Sequence, residues 1–250
     1  MAKVLDSHFL AITAIVTVCY QLIFFVVTAL LKFDKVTDFA GSTNFIILAV
    51  LTVVIKGSWH FRQVVLTLFV VIWGLRLGLF LLMRILQWGE DRRFDQMRGN
   101  LGKLVVFWIF QAVWVWTVSL PVTVVNASDK DPTLQAADII GWIMWSIGFS
   151  LEATADQQKL TFKNSPSNRG KWCNVGVWKY SRHPNYFGEE SADKKHGSVD
   201  DYRLYKKVTS PLIPLPPEVY GHLPLWFKKI FLFEFPLYNR NLPRESFMRL

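Results

Sequence analysis

The chain has 250 residues, of which 52% are hydrophobic and 19% are charged, against roughly 25% charged in soluble domains. This composition excludes a disordered or collagen-like chain, and two cysteines are too few for a disulfide framework. A formal net charge of +9 raises the question of nucleic-acid binding, but the aromatic residues lie mostly in apolar runs rather than between basic residues. A membrane protein with basic membrane-facing segments is the simpler interpretation.

The first 151 residues contain five apolar stretches that are candidate membrane spans, since a crossing needs about 20 apolar residues. In chain order they are residues 8–31, 43–55, 64–86, 101–125 and 134–151. The second is short, which fits a short span or a re-entrant segment. Because lipid admits only helices or closed barrels, the predicted fold class is all-α, a multi-pass membrane helix bundle with about five spans in residues 1–151.

Lysine and arginine are unevenly divided between the two sets of connections. One set, continuous with the basic C-terminal region, contains Lys32, Lys35, Arg84, Arg92, Arg93, Arg98 and Lys103. Positive residues favour the cytosolic side. We therefore expect the N-terminus to be outside or lumenal and the C-terminal region to be cytosolic.

The last part of the chain, residues 218–250, is predicted to be an interfacial tail. Seven of the 11 prolines lie between Pro211 and Pro243, and they exclude a continuous helix there. Within this stretch LWFKKIFLFEF, residues 225–235, mixes aromatic residues with Lys228 and Lys229. That mixture is typical of a short segment at the membrane interface.

Between the spans and the tail, residues 152–217 contain two groups of polar side chains. In LEATADQQKLTFK, one helix face carries Glu152, Asp156, Lys159 and Lys163 at i, i+4, i+7 and i+11. This spacing is typical of a solvated helix end with stabilising ion pairs, and the alternative is a polar face directed at an anionic ligand.

The second group lies in residues 170–190 and combines cations, amides, a carboxylate and aromatic rings. Its members are Lys171, Lys179, Arg182, His183, Asn185, Tyr186 and Glu189. Lysine and arginine suit phosphate groups, while asparagine and glutamate can pair with an amide and with hydroxyls. Together they favour a ligand site, although the sequence contains no G-x-G-x-x-G, P-loop or G-x-S-x-G motif.

Arg76, inside WGLRLG, is a charge in the middle of the third predicted span. Such a residue indicates either a functional site or a buried structural pair. Asp138 and Glu152 are the candidate partners for a pair. Both interpretations remain open at this stage.

Four stretches together resemble the steroid 5-alpha-reductase superfamily, in its branch with a steroid 5-alpha-reductase-like C-terminal domain. They are SRHPNYFGE, LEATADQQKLTFK, WGLRLG followed by R-x-L-x-x-GEDRRFDQMR, and YRLYKKVTSPLIPLPP. The resemblance covers residues 64–217. It implies an all-helical enzyme of the endoplasmic reticulum membrane that uses NADPH to reduce an activated carbon–carbon double bond in a lipid-like substrate, without metal or nucleic acid.

The resemblance also implies cofactor-binding residues. Asp156 and Glu152 match polar contacts to the cofactor, and Lys163 and Lys171 match arginines near its phosphates. The nicotinamide side is matched by Asn185 and Glu189. The remaining matches are Arg182, His183 and Tyr186 of RHP-x-Y, and Tyr202 and Tyr205 of the closing Y-x-x-Y stretch. The family's proton-donating residue has no assignment in this sequence.

The sequence departs from the family pattern immediately after Glu189. In relatives an apolar membrane segment follows NYFGE, whereas here Glu190 and Ser191 lead directly into the stretch that precedes Tyr202. A crossing would need about 20 residues. The junction is typical of an internal deletion, and the lost helices would normally enclose the cofactor and substrate.

Two other functions remain in competition with the reductase. RHP-x-Y and the Y-x-x-Y stretch also suit an S-adenosylmethionine-dependent membrane methyltransferase of the isoprenylcysteine carboxyl methyltransferase type. The junction after Glu189 also fits a catalytically dead splice form.

Overall fold

The computed structural model describes residues 6–31, 37–88, 100–184, 196 and 198–235. Within these residues every regular element is a helix, and one isolated β-bridge joins Ser181 to Ser210. The predicted all-α fold class is therefore confirmed. The chain divides into two compact units, Met1–Leu134 and Gln135–Leu250.

The first unit contains four helices: α1 (Leu10–Leu31), α2 (Thr37–Lys56), α3 (Phe61–Trp88) and α4 (Leu101–Ala127). Each is long and apolar enough to cross a membrane. In α2 half of the most apolar window is buried, against 17% in each of the other three. Helix α2 is therefore the central helix of this unit, and the others expose broad apolar faces of the kind that lipid covers.

Helix α2 is longer than the sequence predicted, because the apolar pattern of residues 43–55 omits its first turns. These first turns and the start of the predicted stretch carry polar side chains that bond to neighbouring helices. The bonded pairs are Arg84–Asp38 (3.4 Å), Tyr20–Thr43 (2.7 Å) and Gln21–Asn44 (2.9 Å). Polar groups at helix contacts are a common means of association in membranes, and here they complete a full span.

Helices α2 and α3 pack closely through the two glycines of WGLRLG. A Cβ atom at Gly74 would lie 2.7 Å from Ile46 Cγ1, and one at Gly78 would lie 2.9 Å from Ser42 Oγ. The two glycines are four residues apart, so both lie on the face of α3 that meets α2. This small-residue spacing is the pattern that brings membrane helices together.

Arg76 lies between these two glycines and is half-buried. Its guanidinium carbon is 5.5 Å from the centroid of the Phe80 ring, one turn further along α3. Pairing with Asp138 or Glu152, which belong to the second unit, stays a prediction.

Gln63 joins α3 to the ends of the neighbouring helices. Its side-chain oxygen accepts hydrogen bonds from the Ser58 hydroxyl and the His60 backbone N–H. Its amide nitrogen donates to three carbonyl oxygens at the end of α4, those of Val125 (3.2 Å), Asn126 (3.2 Å) and Ser128 (3.0 Å). One buried amide thus holds the α2–α3 connection against the C-terminal end of α4.

Among the described residues, four helices meet the length and hydropathy of a span, against the prediction of about five. The remaining predicted stretch, residues 134–151, is the first part of α5 (Ala136–Asn164) in the second unit. Asp138 in the first turn and Glu152 beyond it lower its mean hydropathy. Large apolar side chains on this part of α5 are exposed: Ile139, Ile140, Ile143, Met144 and Ile147.

The second unit continues with short elements. After α5 come two 3-10 helices, Pro166–Asn168 and Gly176–Lys179, and then α6 (Asp200–Val208), α7 (Pro217–His222) and α8 (Leu225–Phe231). Helices α7 and α8 have six and seven residues, and each follows a proline at its N-cap. The prediction that the proline-rich stretch holds no long helix is confirmed as far as the described residues reach.

Candidate functional site

The second half of α5 carries the polar face that the sequence predicted. Its four members differ in burial: Asp156 is 6% exposed, Glu152 and Lys159 are half-buried, and Lys163 is exposed. A helix end surrounded by solvent would leave Asp156 open to water. The burial of this carboxyl group instead favours a polar face directed inward.

Trp178 is the point at which the separate motif segments meet. Its indole Nε1 donates a hydrogen bond to the Ala155 carbonyl oxygen in α5 at 2.9 Å. Its own carbonyl oxygen accepts a hydrogen bond of 2.6 Å from the Tyr205 hydroxyl in α6. The Lys159 ammonium lies 4.4 Å from the centre of its ring. One buried residue, through its side chain and its backbone carbonyl, therefore links the LEATADQQK helix to the YRLYKK helix.

Gly176 allows the chain to approach α5 closely just before Trp178. Its φ of +57° is one that residues with a side chain rarely adopt, and a Cβ there would collide with the Gln158 amide. That amide oxygen accepts a hydrogen bond from the Val177 N–H at 2.8 Å. The glycine is thus required both by the turn and by this contact.

The RHP motif forms a short extended segment held by residues 210–212. The Arg182 N–H donates to the Ser210 carbonyl oxygen (2.8 Å), and the His183 N–H donates to that of Pro211 (3.0 Å). The Ser181 hydroxyl also donates to the Pro211 carbonyl oxygen, at 3.2 Å. This backbone pairing joins the motif to the PLIPLPP part of the YRLYKKVTSPLIPLPP stretch.

The Arg182 guanidinium forms a buried ion pair with Glu234, and the same carboxylate oxygen accepts a hydrogen bond from the Tyr220 hydroxyl. Burial, followed by the hydrogen bond to Glu234, raises the pKa of Tyr220 well above its ordinary value. Lys228 lies over the Tyr220 ring at 4.5 Å, and burial lowers its pKa. The phenol therefore remains protonated and donates to the carboxylate.

Four aromatic side chains form a second cluster in this unit. The Trp172 ring centroid lies 5.3 Å from that of Tyr202, 5.6 Å from His196 and 6.5 Å from Tyr205. Trp172 Nε1 is buried and has no hydrogen-bond acceptor among the described residues. A buried N–H without an acceptor costs free energy unless a ligand or water completes it, so this donor is suited to a polar ligand.

Basic side chains lie close to this cluster in sequence. Lys171, next to Trp172, is exposed, as is Lys163. Lys159 and Lys163 both act electrostatically on the Cys173 thiol, whose pKa is raised because burial outweighs their effect. Lys159 and Lys163 therefore lie near Cys173, whose neighbours in sequence are Trp172 and Lys171.

Three of the predicted site residues, Asn185, Tyr186 and Glu189, lie outside the described residues, as does the junction at Glu190 and Ser191. If the matched residues share one cofactor site, Asp156 and Asn185 lie close together, and this proximity stays a prediction. Among the described residues, no group of three or more histidine, cysteine, aspartate or glutamate side chains is arranged to hold a metal ion.

The sequence analysis did not identify Glu234, Trp172, Trp178 or His196 as parts of this region. Glu234 had a usable signal, since it is the one carboxylate in the otherwise apolar and basic LWFKKIFLFEF. A charge in such a stretch indicates a buried partner. The tryptophans had no such signal, because 11 of them are spread through the chain.

Residues 24–192 match the family described as "Protein of unknown function (DUF1295)". This match covers more than half of the chain and includes the end of α1 from residue 24, helices α2 to α5 and the RHP motif. It ends close to the junction at Glu189, whereas the motif resemblance extends to residue 217. No curated protein and no solved structure matches the chain.

Proposed function

The chain belongs to the DUF1295 family, which is associated with steroid 5-alpha-reductase-like proteins, and from this premise we propose that it is a membrane oxidoreductase. The reaction is the NADPH-dependent reduction of a carbon–carbon double bond in a lipid-like substrate. We place it in the membrane of the endoplasmic reticulum, with the second unit on the cytosolic side.

The observation that carries the proposal is the convergence on Trp178 of segments that resemble the reductases. Trp178 bonds to α5 through Ala155 and to α6 through Tyr205. The RHP motif begins three residues later and pairs with residues 210–212. Stretches that are separate in sequence thus meet in one unit, as a shared cofactor site requires.

The chemistry of the described residues fits a dinucleotide phosphate. Lys163 and Lys171 present exposed ammonium groups that suit phosphates. The ring cluster of Trp172, His196 and Tyr202 offers aromatic surface and a buried N–H donor without an acceptor. When bound, NADPH supplies a hydride to the β carbon of the substrate's double bond.

In this proposal two of the predicted cofactor residues, Arg182 and Tyr205, hold neighbouring segments in place. The Arg182 guanidinium bonds to Glu234, and the Tyr205 hydroxyl bonds to the Trp178 carbonyl oxygen. We assign them to holding the RHP motif and α6 in place. His183 belongs to the same segment, and Glu152 and Asp156 supply the polar face of α5. Direct contacts to the nicotinamide and its ribose are assigned to Asn185, Tyr186 and Glu189, as the resemblance implies.

Binding of NADPH is expected to be weak in this chain. The apolar segment that follows NYFGE in relatives is missing, and the charged stretch from Glu190 to Lys195 cannot enter lipid cheaply. A site without that cover excludes water poorly and positions its reactants poorly. The same reasoning predicts slow turnover.

Isothermal titration of the detergent-solubilised chain with NADPH and with S-adenosylmethionine tests the proposal. We expect millimolar affinity for NADPH, weakened further by Tyr202→Ala but not by Leu204→Ala, its exposed neighbour on α6. An apolar insert of about 20 residues after Glu189 should tighten binding into the micromolar range.

The other possible results of these titrations would each indicate a different function or a different role for the missing segment. Preferential binding of S-adenosylmethionine would replace the reductase by the methyltransferase, for which the aromatic cluster around Trp172 is the favourable observation, since sulfonium is a cation. Absence of NADPH binding even with the insert would indicate a catalytically dead form. Micromolar NADPH affinity without the insert, abolished by Asn185→Ala, would show that the missing segment is dispensable.

A further inference from the structure

The segment Leu225–Phe235, here called the aromatic edge, exposes an unusual number of large apolar side chains. Within these eleven positions six side chains are between 41% and 65% exposed: Leu225, Trp226, Ile230, Phe231, Phe233 and Phe235. Isolated exposed apolar residues are ordinary, but a contiguous group marks a surface that something covers. This segment lies at the end of the second unit and carries none of the residues assigned to the cofactor.

The aromatic edge has an outer side of exposed side chains and an inner side of buried ones. In α8, Trp226 and Ile230 are four residues apart and therefore share a face. After the helix the chain alternates: Phe233 and Phe235 are exposed, while Leu232 and Glu234 are buried. The exposed residues thus continue from the helix into the turn that follows it, where Phe233 has a φ of +59°.

The inner side is attached to the RHP motif. Glu234 accepts hydrogen bonds from the Arg182 guanidinium and the Tyr220 hydroxyl. Lys228 lies over the Tyr220 ring and donates to the Gly221 carbonyl oxygen at 3.4 Å. The aromatic edge cannot move far without disturbing the segment that contains Arg182.

We propose that the aromatic edge inserts into the surface of an anionic bilayer and, through Glu234, holds the RHP motif at the membrane surface. This inference is independent of the proposed reaction. The occupant is a bilayer because the exposed side chains are aromatic and aliphatic and lie beside two cations, Lys228 and Lys229, in the last turn of α8. That combination is what binds at a bilayer interface and is attracted by anionic lipid.

The four candidate spans of the same chain keep this segment close to a membrane at all times. An interfacial segment therefore needs no affinity for free vesicles, and a few inserted side chains suffice to orient it. Tryptophan and phenylalanine are well suited to this depth, since their rings prefer the region between headgroups and acyl chains.

Fluorescent labels in proteoliposomes provide the test. A cysteine is introduced at Ile230, or at Leu204 as the control, in a Cys19→Ala background that retains the buried Cys173. Both sites carry an aliphatic residue at least 60% exposed, but Leu204 lies on α6 among charged side chains. An environment-sensitive fluorophore then reports quenching by spin-labelled lipid and by aqueous iodide.

We expect the label at position 230 to be quenched several-fold more by spin-labelled lipid than the label at position 204, with the reverse order for iodide. The difference should be larger in vesicles containing phosphatidylserine than in pure phosphatidylcholine, and Lys229→Gln should reduce that lipid dependence. Equal iodide quenching at the two positions in phosphatidylserine vesicles would overturn the proposal and leave a protein partner as the alternative.

The second part of the proposal concerns Glu234. In phosphatidylserine vesicles Glu234→Gln should leave the label at position 230 in lipid, but should increase hydrogen exchange at the Arg182 and His183 amides several-fold. If exchange at those amides is unchanged, the aromatic edge binds lipid without positioning the motif, and the coupling is refuted.

Discussion

The two units bury polar side chains of different kinds. Among the described residues of the first unit, every buried polar side chain is a hydroxyl or an amide, as in Thr17, Gln21, Asn44 and Asn126. The second unit buries charged or titratable groups, including Asp156, Arg182, His183, Lys206 and Glu234. Neutral groups can be satisfied inside a membrane at modest cost, whereas a buried charge requires a partner. The first unit is therefore suited to association of helices, whereas the second must hold its buried charges with partners.

Among the predicted effects, the loss of stability on removal of Glu234 is the largest. Glu234→Leu leaves the Arg182 guanidinium and the Tyr220 hydroxyl without their shared carboxylate. Breaking a buried ion pair from one side costs about 3–5 kcal/mol, and we expect a loss of this size in the free energy of unfolding. Circular dichroism during thermal unfolding in detergent measures it.

Glu218 provides a matched control for that variant, because it is an exposed glutamate in α7 of the same unit. Glu218→Leu should change stability by less than about 0.5 kcal/mol. Equal effects at the two glutamates would mean that the Arg182–Glu234 pair contributes nothing specific.

Removal of the Gln63 amide from the first unit should lower the free energy of unfolding by less than removal of Glu234 does. Gln63→Leu abolishes three donated bonds to the end of α4. Interhelical hydrogen bonds in membranes average about 0.6 kcal/mol each, so we expect a loss of about 2 kcal/mol. Gln87→Leu, at an exposed position of the same helix, should be almost neutral. A loss as large as that of Glu234→Leu would remove the proposed distinction between the units.

These differences explain which features the sequence could predict. Apolar length alone identified α1, α3 and α4, because lipid requires it. It gave too short a second span, because Thr37, Asp38 and Ser42 interrupt the apolar run before residue 43, although Asp38 bonds to Arg84 of α3. The residues nearby in sequence do not show which side chains on other helices such polar residues bond to.

The site was predictable in its parts and not in its contacts. Helical spacing selected Asp156, the polar group in residues 170–190 included Arg182, and the family resemblance added Tyr205; all three lie in the second unit. The partner of Arg182 is Glu234, 52 positions away, and that of Tyr205 is the Trp178 carbonyl oxygen, 27 positions away. A pairing over such distances depends on the fold, so the sequence indicated candidates for ligand contacts where the structure has internal bonds.

Close packing of α2 against α3 in the first unit predicts a smaller loss of stability when a glycine is replaced by alanine. Gly74→Ala places a methyl group 2.7 Å from Ile46 Cγ1 and 3.2 Å from the Ser42 carbonyl oxygen. Overpacking of this kind costs about 1–3 kcal/mol, and the better helix propensity of alanine returns about 1 kcal/mol. We expect a net loss of about 1 kcal/mol in thermal unfolding. Gly148→Ala, where no atom lies within 4 Å, should stabilise the helix slightly instead.

The smallest predicted effect is a pH dependence confined to the second unit. Burial raises the pKa of the Cys173 thiol in the folded chain, against the opposing influence of the Val175 backbone hydrogen bond, Lys159 and Lys163. A group whose pKa is raised by folding contributes stability below its unfolded pKa, about 8.5 for a thiol, and loses that contribution as the pH rises through the folded pKa. We therefore expect hydrogen exchange of amides around Cys173 to accelerate above about pH 8.5, beyond the intrinsic increase. Cys173→Ala should remove this part of the slope, whereas Cys19→Ala, in α1, should not. An unchanged slope in Cys173→Ala would refute this assignment, since Tyr220, whose pKa is also raised by burial, would lose its contribution only above about pH 10.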